Sequence, residues 1–156
     1  MPMTDPIRIA NCSGFYGDRL SAAAEMVEGG HIDVLTGDWL AELTMLILAR
    51  SRAKRPGGGY ASTFVKQMEQ VMGTCLDRGI KVVSNAGGLD PGGCAEALSE
   101  VADRLGLSPT IAYVAGDDLL GRLDDLLDAG VNLPDLTTGE PLTDPGRFVS
   151  ANAYLG

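Results

Sequence analysis

Carboxylate, carboxamide and hydroxyl side chains recur at one kind of position in this chain, directly after short apolar runs. A carboxylate can orient water or accept a proton, and amide and hydroxyl groups can hold a carbonyl or carboxylate oxygen. The candidate catalytic residues are Asp38 and Asp117. The candidate ligand-binding residues are Asn11, Ser13, Ser84, Asn85, Gly87, Gly88 and Asp118. The pattern predicts a site for a small organic ligand.

The stretch 84–93 (SNAGGLDPGG) lies between the apolar run Ile80–Val83 and a segment with helical periodicity. Its glycines allow close approach of the backbone, and N–H groups at the start of a helix favour an anion. The stretch is neither a G-x-G-x-x-G fingerprint nor a Walker loop, because it lacks the lysine and hydroxyl of the latter. A tight structural turn is the competing interpretation.

Three aspartates, Asp18, Asp38 and Asp117, each follow a glycine and precede a helical pattern. One interpretation is that each is a helix N-cap, for which Asp is favoured. The other is that Asp38, Asp117 and Asp118 form a cluster that holds a hard cation or orients a substrate hydroxyl. No spacing is specific for a metal, so we predict no metal site.

Two further groups each have a functional and a structural interpretation. Cys12 could be a nucleophile at a strand end, but a small buried thiol is the commoner case, and the only histidine, His31, is expected at the opposite edge. The basic segment Arg50–Arg55 could grip the phosphates of a nucleotide-like cofactor, such as the handle of coenzyme A, together with Gly57–Gly59. Its structural interpretation is favourable charge at the end of a helix.

The elements that must position these residues follow from apolar periodicity. Four short apolar runs predict strands: Ile7–Ile9, Ile32–Leu35, Ile80–Val83 and Thr110–Val114. Helical patterns separate them, which predicts an α/β fold with a doubly wound, mostly parallel sheet of at least four strands and helices on both faces. Ligands of such sheets bind where the carboxyl ends of the strands meet.

The predicted helices begin at glycine- or proline-containing signals. They are expected after Gly17-Asp18, after Gly37-Asp38, from Ser62 to Asp77, from Asp90-Pro91, and from Leu119 to near Gly130. Apolar residues surround the second of these helices, so we expect it to be buried on more than one side. Residues 131–156 are predicted to be rich in loops and incomplete, with a strand or helix start over Phe148–Leu155.

Composition limits the class of protein. A length of 156 residues and an apolar fraction of 45% fit a single α/β domain over 1–156. The formal net charge of −9 argues against nucleic acid or anionic membrane as a partner. The cysteine count of 3, without C-x-x-C spacing, favours reduced thiols and therefore a cytoplasmic protein. A homo-oligomer remains an open alternative, and no cofactor is indicated.

Several motifs of the chain occur together in one known family. They are 37–44 (GDWLAELT), Leu48-Ala49-Arg50, Gly59-Tyr60-Ala61, 82–91 (VVSNAGGLDP) and Gly116-Asp117-Asp118. With these motifs the chain resembles the acyclic terpene utilisation (AtuA) family from Arg8 to Gly156. The resemblance implies a cytosolic role in breakdown of acyclic monoterpenoids such as citronellol and geraniol through acyl-CoA intermediates, without an assigned reaction. Members of the family are longer, which implies that this chain is truncated; the alternatives are a fragment, a mis-called gene and a natural amino-terminal piece.

We therefore expect the amino-terminal α/β part of a protein that handles a small branched organic acid or its acyl-CoA thioester. Asn85 and Ser13 would bind a carbonyl or carboxylate, and Asp38 or Asp117 would orient water or act as a base. The alternatives are a non-catalytic ligand-binding or assembly module, and an inactive fragment. Whether the protein is an enzyme stays open at this point.

Overall fold

The computed structural model describes residues 5–55 and 58–154. Pro56 and Gly57, which belong to the glycine-rich loop after the basic segment, lie outside the described residues, as does Leu155. The chain divides into two compact units, Met1–Val114 and Ala115–Gly156, and each is described by itself. The single domain expected over 1–156 stays a prediction.

The sheet of the first unit has three parallel strands: β1 (Ile9–Asn11), β2 (Val34–Gly37) and β3 (Lys81–Ser84). Their order is β1-β2-β3, with β2 in the centre. The register places Asn11 beside Thr36 and Thr36 beside Val83, so the carboxyl ends of all three strands meet at one edge. The predicted parallel pairing is therefore present, although each strand begins one or two residues later than the apolar runs suggested.

The prediction of a doubly wound sheet with at least four strands is wrong. The expected fourth strand, Thr110–Val114, has no regular structure, and Tyr113 and Val114 are 59% and 85% exposed. Strand propensity describes how well a side chain fits a half-buried pleated surface, and here no such surface covers these side chains. Likewise, residues 148–154 form neither a helix nor an extended strand.

The described residues form five α-helices: α1 (Ala22–Glu28), α2 (Glu42–Arg52), α3 (Ser62–Arg78), α4 (Pro91–Leu105) and α5 (Leu123–Asp128). The start of α4 is fixed as predicted, because the Asp90 carboxylate accepts from the Gly93 N–H at 2.9 Å and Pro91 occupies the first turn. Glycines in the left-handed region end α3 and α4, at Gly79 and Gly106. Local signals therefore located α3 and the start of α4 well.

The main core lies on one face of the sheet. Leu35 of β2 is fully buried there among residues of α1, α3 and α4, and Trp39 packs edge-to-face on Phe64 with ring centroids 5.0 Å apart. On the other face Ile9 and Val83 are 66% and 61% exposed. The described helices of the main core thus share one face, which also corrects the expectation of helices on both faces.

Helix α2 packs apart from the main core. On its inner side, Met45, Leu48 and Ala49 form a small cluster with Leu89. Its outer side is open, because Leu43 is 68% and Ile47 is 42% exposed. The expectation that this helix is buried on more than one side is therefore wrong. None of the helices in the described part of the chain is long and apolar enough to cross a bilayer.

Candidate functional site

A shallow, open pocket lies at the carboxyl ends of the three strands, with a volume of about 510 Å³. Its lining residues come from the ends of all strands and from the loops that follow β2 and β3: Asn11, Thr36, Gly37, Asp38, Val83, Ser84 and Asn85. Asn11, Thr36 and Val83 are neighbours in register, so they form a row on the open face of the sheet. The pocket therefore combines two carboxamides, two hydroxyls and one carboxylate with one apolar side chain.

Asp38 and Asn85 form the polar centre of this pocket. The Asn85 Nδ2 donates to Asp38 Oδ1 at 2.6 Å, and the Trp39 N–H donates to Asn85 Oδ1 at 2.9 Å. The Leu40 N–H also donates to Asp38 Oδ1, at 3.1 Å. Within the described residues, Asp38 Oδ2 accepts no side-chain or backbone hydrogen bond. One carboxylate oxygen thus joins the two loops, and the other makes no hydrogen bond within the described residues.

The helix-cap interpretation of the three glycine-linked aspartates is wrong. Helix α2 begins at Glu42 with Ala41 as its N-cap, four residues after Asp38, and α1 has Ser21 as its N-cap. After Asp117, the 3₁₀ turn Leu120–Arg122 has Leu119 as its N-cap, and α5 has Arg122. The Asp18 carboxylate instead accepts from the Gly14 and Arg19 N–H groups, which lower its pKa. Asp38 therefore keeps its place in the pocket without a capping role.

Most of the backbone N–H groups in the glycine-rich loop after β3 already donate to acceptors within the protein. The Gly88 N–H donates to Asn85 O, the Leu89 N–H to Gly59 O, and the Asp90 N–H to Gly87 O. Ser84 Oγ, although at the pocket, accepts from the Ala86 N–H at 2.9 Å. Gly87 and Gly88 do not line the pocket. This geometry favours the structural-turn interpretation, and ligand contact by these two glycines stays a prediction.

Close packing explains why glycine occurs in this loop. A Cβ at Gly87 would lie 2.9 Å from Pro91 Cα, and a Cβ at Gly88, whose φ is +53°, would lie 2.5 Å from Leu48 Cδ1. In the pocket itself, a Cβ at Gly37 would overlap the Trp39 ring. The glycines thus allow two loops and α2 to approach one another around the pocket.

Several predicted site residues lie elsewhere. Ser13 is 2% exposed and its hydroxyl donates to Phe15 O at 3.0 Å, so it lies beneath the surface and does not line the pocket. Asp117 and Asp118 belong to the second unit. There Asn152 Nδ2 donates to Asp117 Oδ2 at 3.4 Å, and the Leu120 N–H donates to Asp118 Oδ1 at 3.1 Å. Their proposed roles stay predictions.

The thiols are core residues. Cys12, Cys75 and Cys94 are free and buried, and burial raises the pKa of Cys12 and of Cys94 to about 11. A thiol with this pKa stays protonated near neutral pH, which favours the structural interpretation of Cys12 over a nucleophile. His31 is exposed in the loop before β2, 3.6 Å from Asp33, as expected for a surface residue. No group of three potential metal ligands occurs within the described residues.

Three pocket residues, Thr36, Gly37 and Val83, were not among the site residues predicted from the sequence. A signal for Thr36 was available, because side chains alternate along a strand and a buried Leu35 places Thr36 on the opposite face. For Val83, the apolar character suggested burial, and only the open face of the sheet makes it part of a pocket.

Comparison with known proteins identifies a matching family. The family described as "Acyclic terpene utilisation family protein AtuA" matches residues 7–156 of the chain. No curated protein and no solved structure is detectably similar.

Proposed function

The chain belongs to the acyclic terpene utilisation (AtuA) family, and we propose that its pocket binds the carboxylate or thioester carbonyl of a branched acid formed during acyclic terpene breakdown. The observation that carries the proposal is the meeting of Asn11, Thr36 and Asp38 in one pocket at the carboxyl ends of parallel strands. We further propose that the protein acts in the cytoplasm, which its free, buried cysteines support.

Each polar group has a defined task in this proposal. The Asn11 carboxamide and the Thr36 hydroxyl donate to the carbonyl or carboxylate oxygen, and Val83 contacts the first carbons of the chain. Asp38 Oδ2 orients a water molecule or accepts a proton from the carbon next to the carbonyl. Asn85 is a positioning residue, because it holds Asp38 Oδ1 at 2.6 Å.

The same geometry supports a second candidate function, ligand binding without turnover. Asp38 and Asn85 bind each other and the backbone of the following residues, so both also have a structural task. A binding or assembly module needs only the donors of Asn11 and Thr36. Separate measurements of binding and of turnover distinguish the two functions.

The test compares Asp38→Asn with the matched control Asp103→Asn, an exposed carboxylate on α4. Asparagine retains an oxygen for the Asn85 and Leu40 donors, so we expect the fold to persist. Calorimetric titration with a branched monoterpenoid acid and its thioester measures binding, and mass spectrometry of the products measures turnover. If the protein is an enzyme, we expect Asp38→Asn to reduce turnover about 100-fold or more, as for loss of a general base.

Asn11→Ala should weaken binding whether or not the protein is an enzyme. Unchanged binding in Asn11→Ala and Thr36→Val would contradict the proposed pocket.

A further inference from the structure

The outer side of α2 carries an apolar stripe that leads to a cluster of cations. Leu43, Leu46 and Ile47 follow one another at helical spacing, and Leu43 and Ile47 are 68% and 42% exposed. Arg50 continues the same stripe one turn later and is exposed. A soluble protein gains nothing from such a surface by itself, since each exposed apolar side chain forgoes the free energy of burial.

The end of this stripe has a concentration of positive charge that is unusual in this acidic chain. The segment Arg50–Arg55 contains four of the 12 Lys and Arg residues of a chain whose net charge is −9. Arg50, Lys54 and Arg55 are exposed, and within the described residues none of these three takes part in an ion pair. Arg52 has a different task, because its Nη1 donates to Leu89 O at 2.9 Å and so fixes the helix end on the loop after β3.

The stripe starts at Leu43, five residues after the pocket residue Asp38. Helix α2 begins four residues after Asp38, and the Leu40 N–H donates to the Asp38 carboxylate. Eleven residues of helix span about 16 Å. The thirteen bonds from the thioester sulfur of coenzyme A to its first phosphorus span about 15 Å when extended, at the advance per bond of an extended backbone. A pantetheine arm along α2 would therefore bring its phosphates to the cationic end.

We propose that the outer side of α2 and the cations Arg50, Lys54 and Arg55 form the docking surface for the pantetheine arm and phosphates of a coenzyme A thioester. The apolar stripe contacts the methylene and dimethyl groups of the arm, and the cations contact the phosphates through charge-assisted hydrogen bonds. This inference rests on the proposed function for the position of the acyl group, but coenzyme A itself should bind even if the acyl pocket is wrongly assigned.

The first experiment is calorimetric titration with free coenzyme A, which has no acyl group. We expect the triple variant Arg50→Gln/Lys54→Gln/Arg55→Gln to raise its Kd about tenfold or more, and added salt to weaken binding to the wild type. The control is Arg8→Gln/Lys66→Gln/Lys81→Gln, which removes the same charge from other exposed positions. An equal rise in Kd in both variants would show unspecific attraction and overturn the proposal, as would absence of coenzyme A binding to the wild type.

The apolar half of the surface is tested with Leu43→Gln/Ile47→Gln. Both side chains are exposed, so the exchange should leave the melting temperature within a few degrees of the wild type. We expect it to weaken binding of S-acyl-pantetheine, which lacks the nucleotide and its phosphates, while the cation variant leaves that affinity unchanged. Two results would instead assign the surface to another occupant and overturn the proposal: loss of self-association in sedimentation, or binding to phosphatidylglycerol vesicles without binding to coenzyme A.

Comparison of Asn11→Ala with the cation variant tests the acyl pocket and the docking surface separately. If Asn11→Ala leaves the affinity for the free branched acid unchanged while the cation variant still loses coenzyme A, the acyl pocket is wrong and the docking surface stands. If Asn11→Ala weakens the acid and the cation variant retains coenzyme A, the pocket stands and the docking surface is wrong.

Discussion

The side-chain amide of Asn85 makes two hydrogen bonds with different structural roles. Its oxygen accepts from the Trp39 N–H, and its nitrogen donates to Asp38, which joins the loops after β2 and β3 across 46 residues of sequence. From the sequence, Asn85 was expected to bind a ligand, and its type and position after a strand supported that. The internal hydrogen bonds depend on the approach of a distant loop, which no local pattern contains.

The carboxamide of Asn85 can be tested by two exchanges. Asn85→Ala leaves the partly buried Trp39 N–H without its acceptor, and we expect a loss of about 1–3 kcal/mol in the free energy of unfolding. Asn85→Asp retains an acceptor for Trp39 but replaces the donor with a second carboxylate oxygen next to Asp38. Repulsion between two carboxylates is relieved when one is protonated, so its deficit relative to the wild type should be smaller at about pH 4 than at about pH 7.

Urea denaturation at both pH values measures these differences. Asn132→Asp, an exposed position in the second unit, is the control for the added negative charge. A deficit of Asn85→Asp that is the same at both pH values would show that Asp38 and residue 85 do not interact as described.

At the scale of elements, the sequence was informative where one local signal determines the conformation. Asp90-Pro91 determined the start of α4 and Gly79 the end of α3, because capping and left-handed backbone are local properties. Predictions from the sequence were wrong where the structure depends on which other elements pack on an apolar surface. Thr110–Val114 has the composition of a strand without a surface to cover it, and the apolar outer side of α2 is open. Periodicity identifies an apolar face but not what packs on it.

The loop between β3 and α4 gives a prediction at this scale. In Gly88→Ala the new Cβ would lie 2.5 Å from Leu48 Cδ1 and 2.8 Å from Gly59 O, at a φ of +53°. We expect a loss of about 1–3 kcal/mol from backbone strain alone, with the displacement of α2 adding to it. Gly73→Ala is the control, because this glycine lies within α3 and its Cβ would make only an ordinary contact, 3.9 Å from Leu107 Cδ1.

Alanine is the better helix former, so Gly73→Ala should stabilise the protein by about 0.5–1 kcal/mol. Denaturation in urea gives both values. If Gly88→Ala were as stable as the wild type, the close approach of α2 to this loop would be refuted.

At the scale of the molecule, the first unit is organised by one core to which distant parts of the chain contribute. Cys12 follows β1, Cys75 lies in α3 and Cys94 in α4, and all three belong to the core that also contains Trp39. The reduced state of the three cysteines was expected from the sequence. Their meeting in one core follows only from the sheet order and the packing of the helices on a single face.

Labelling of the thiols therefore measures opening of this core. Burial protects the sulfur atoms and raises the pKa of Cys12 and Cys94 to about 11, so an aromatic disulfide reagent should react slowly with the native protein near pH 8. In urea we expect the thiols to become reactive together, at the midpoint reported by fluorescence of Trp39, the single tryptophan, which is 1% exposed. Ser99→Cys, an exposed position on α4, serves as the control and should add one rapidly reacting thiol. Rapid labelling of native cysteines, or a labelling midpoint well below the fluorescence midpoint, would show that these residues do not share one cooperative core.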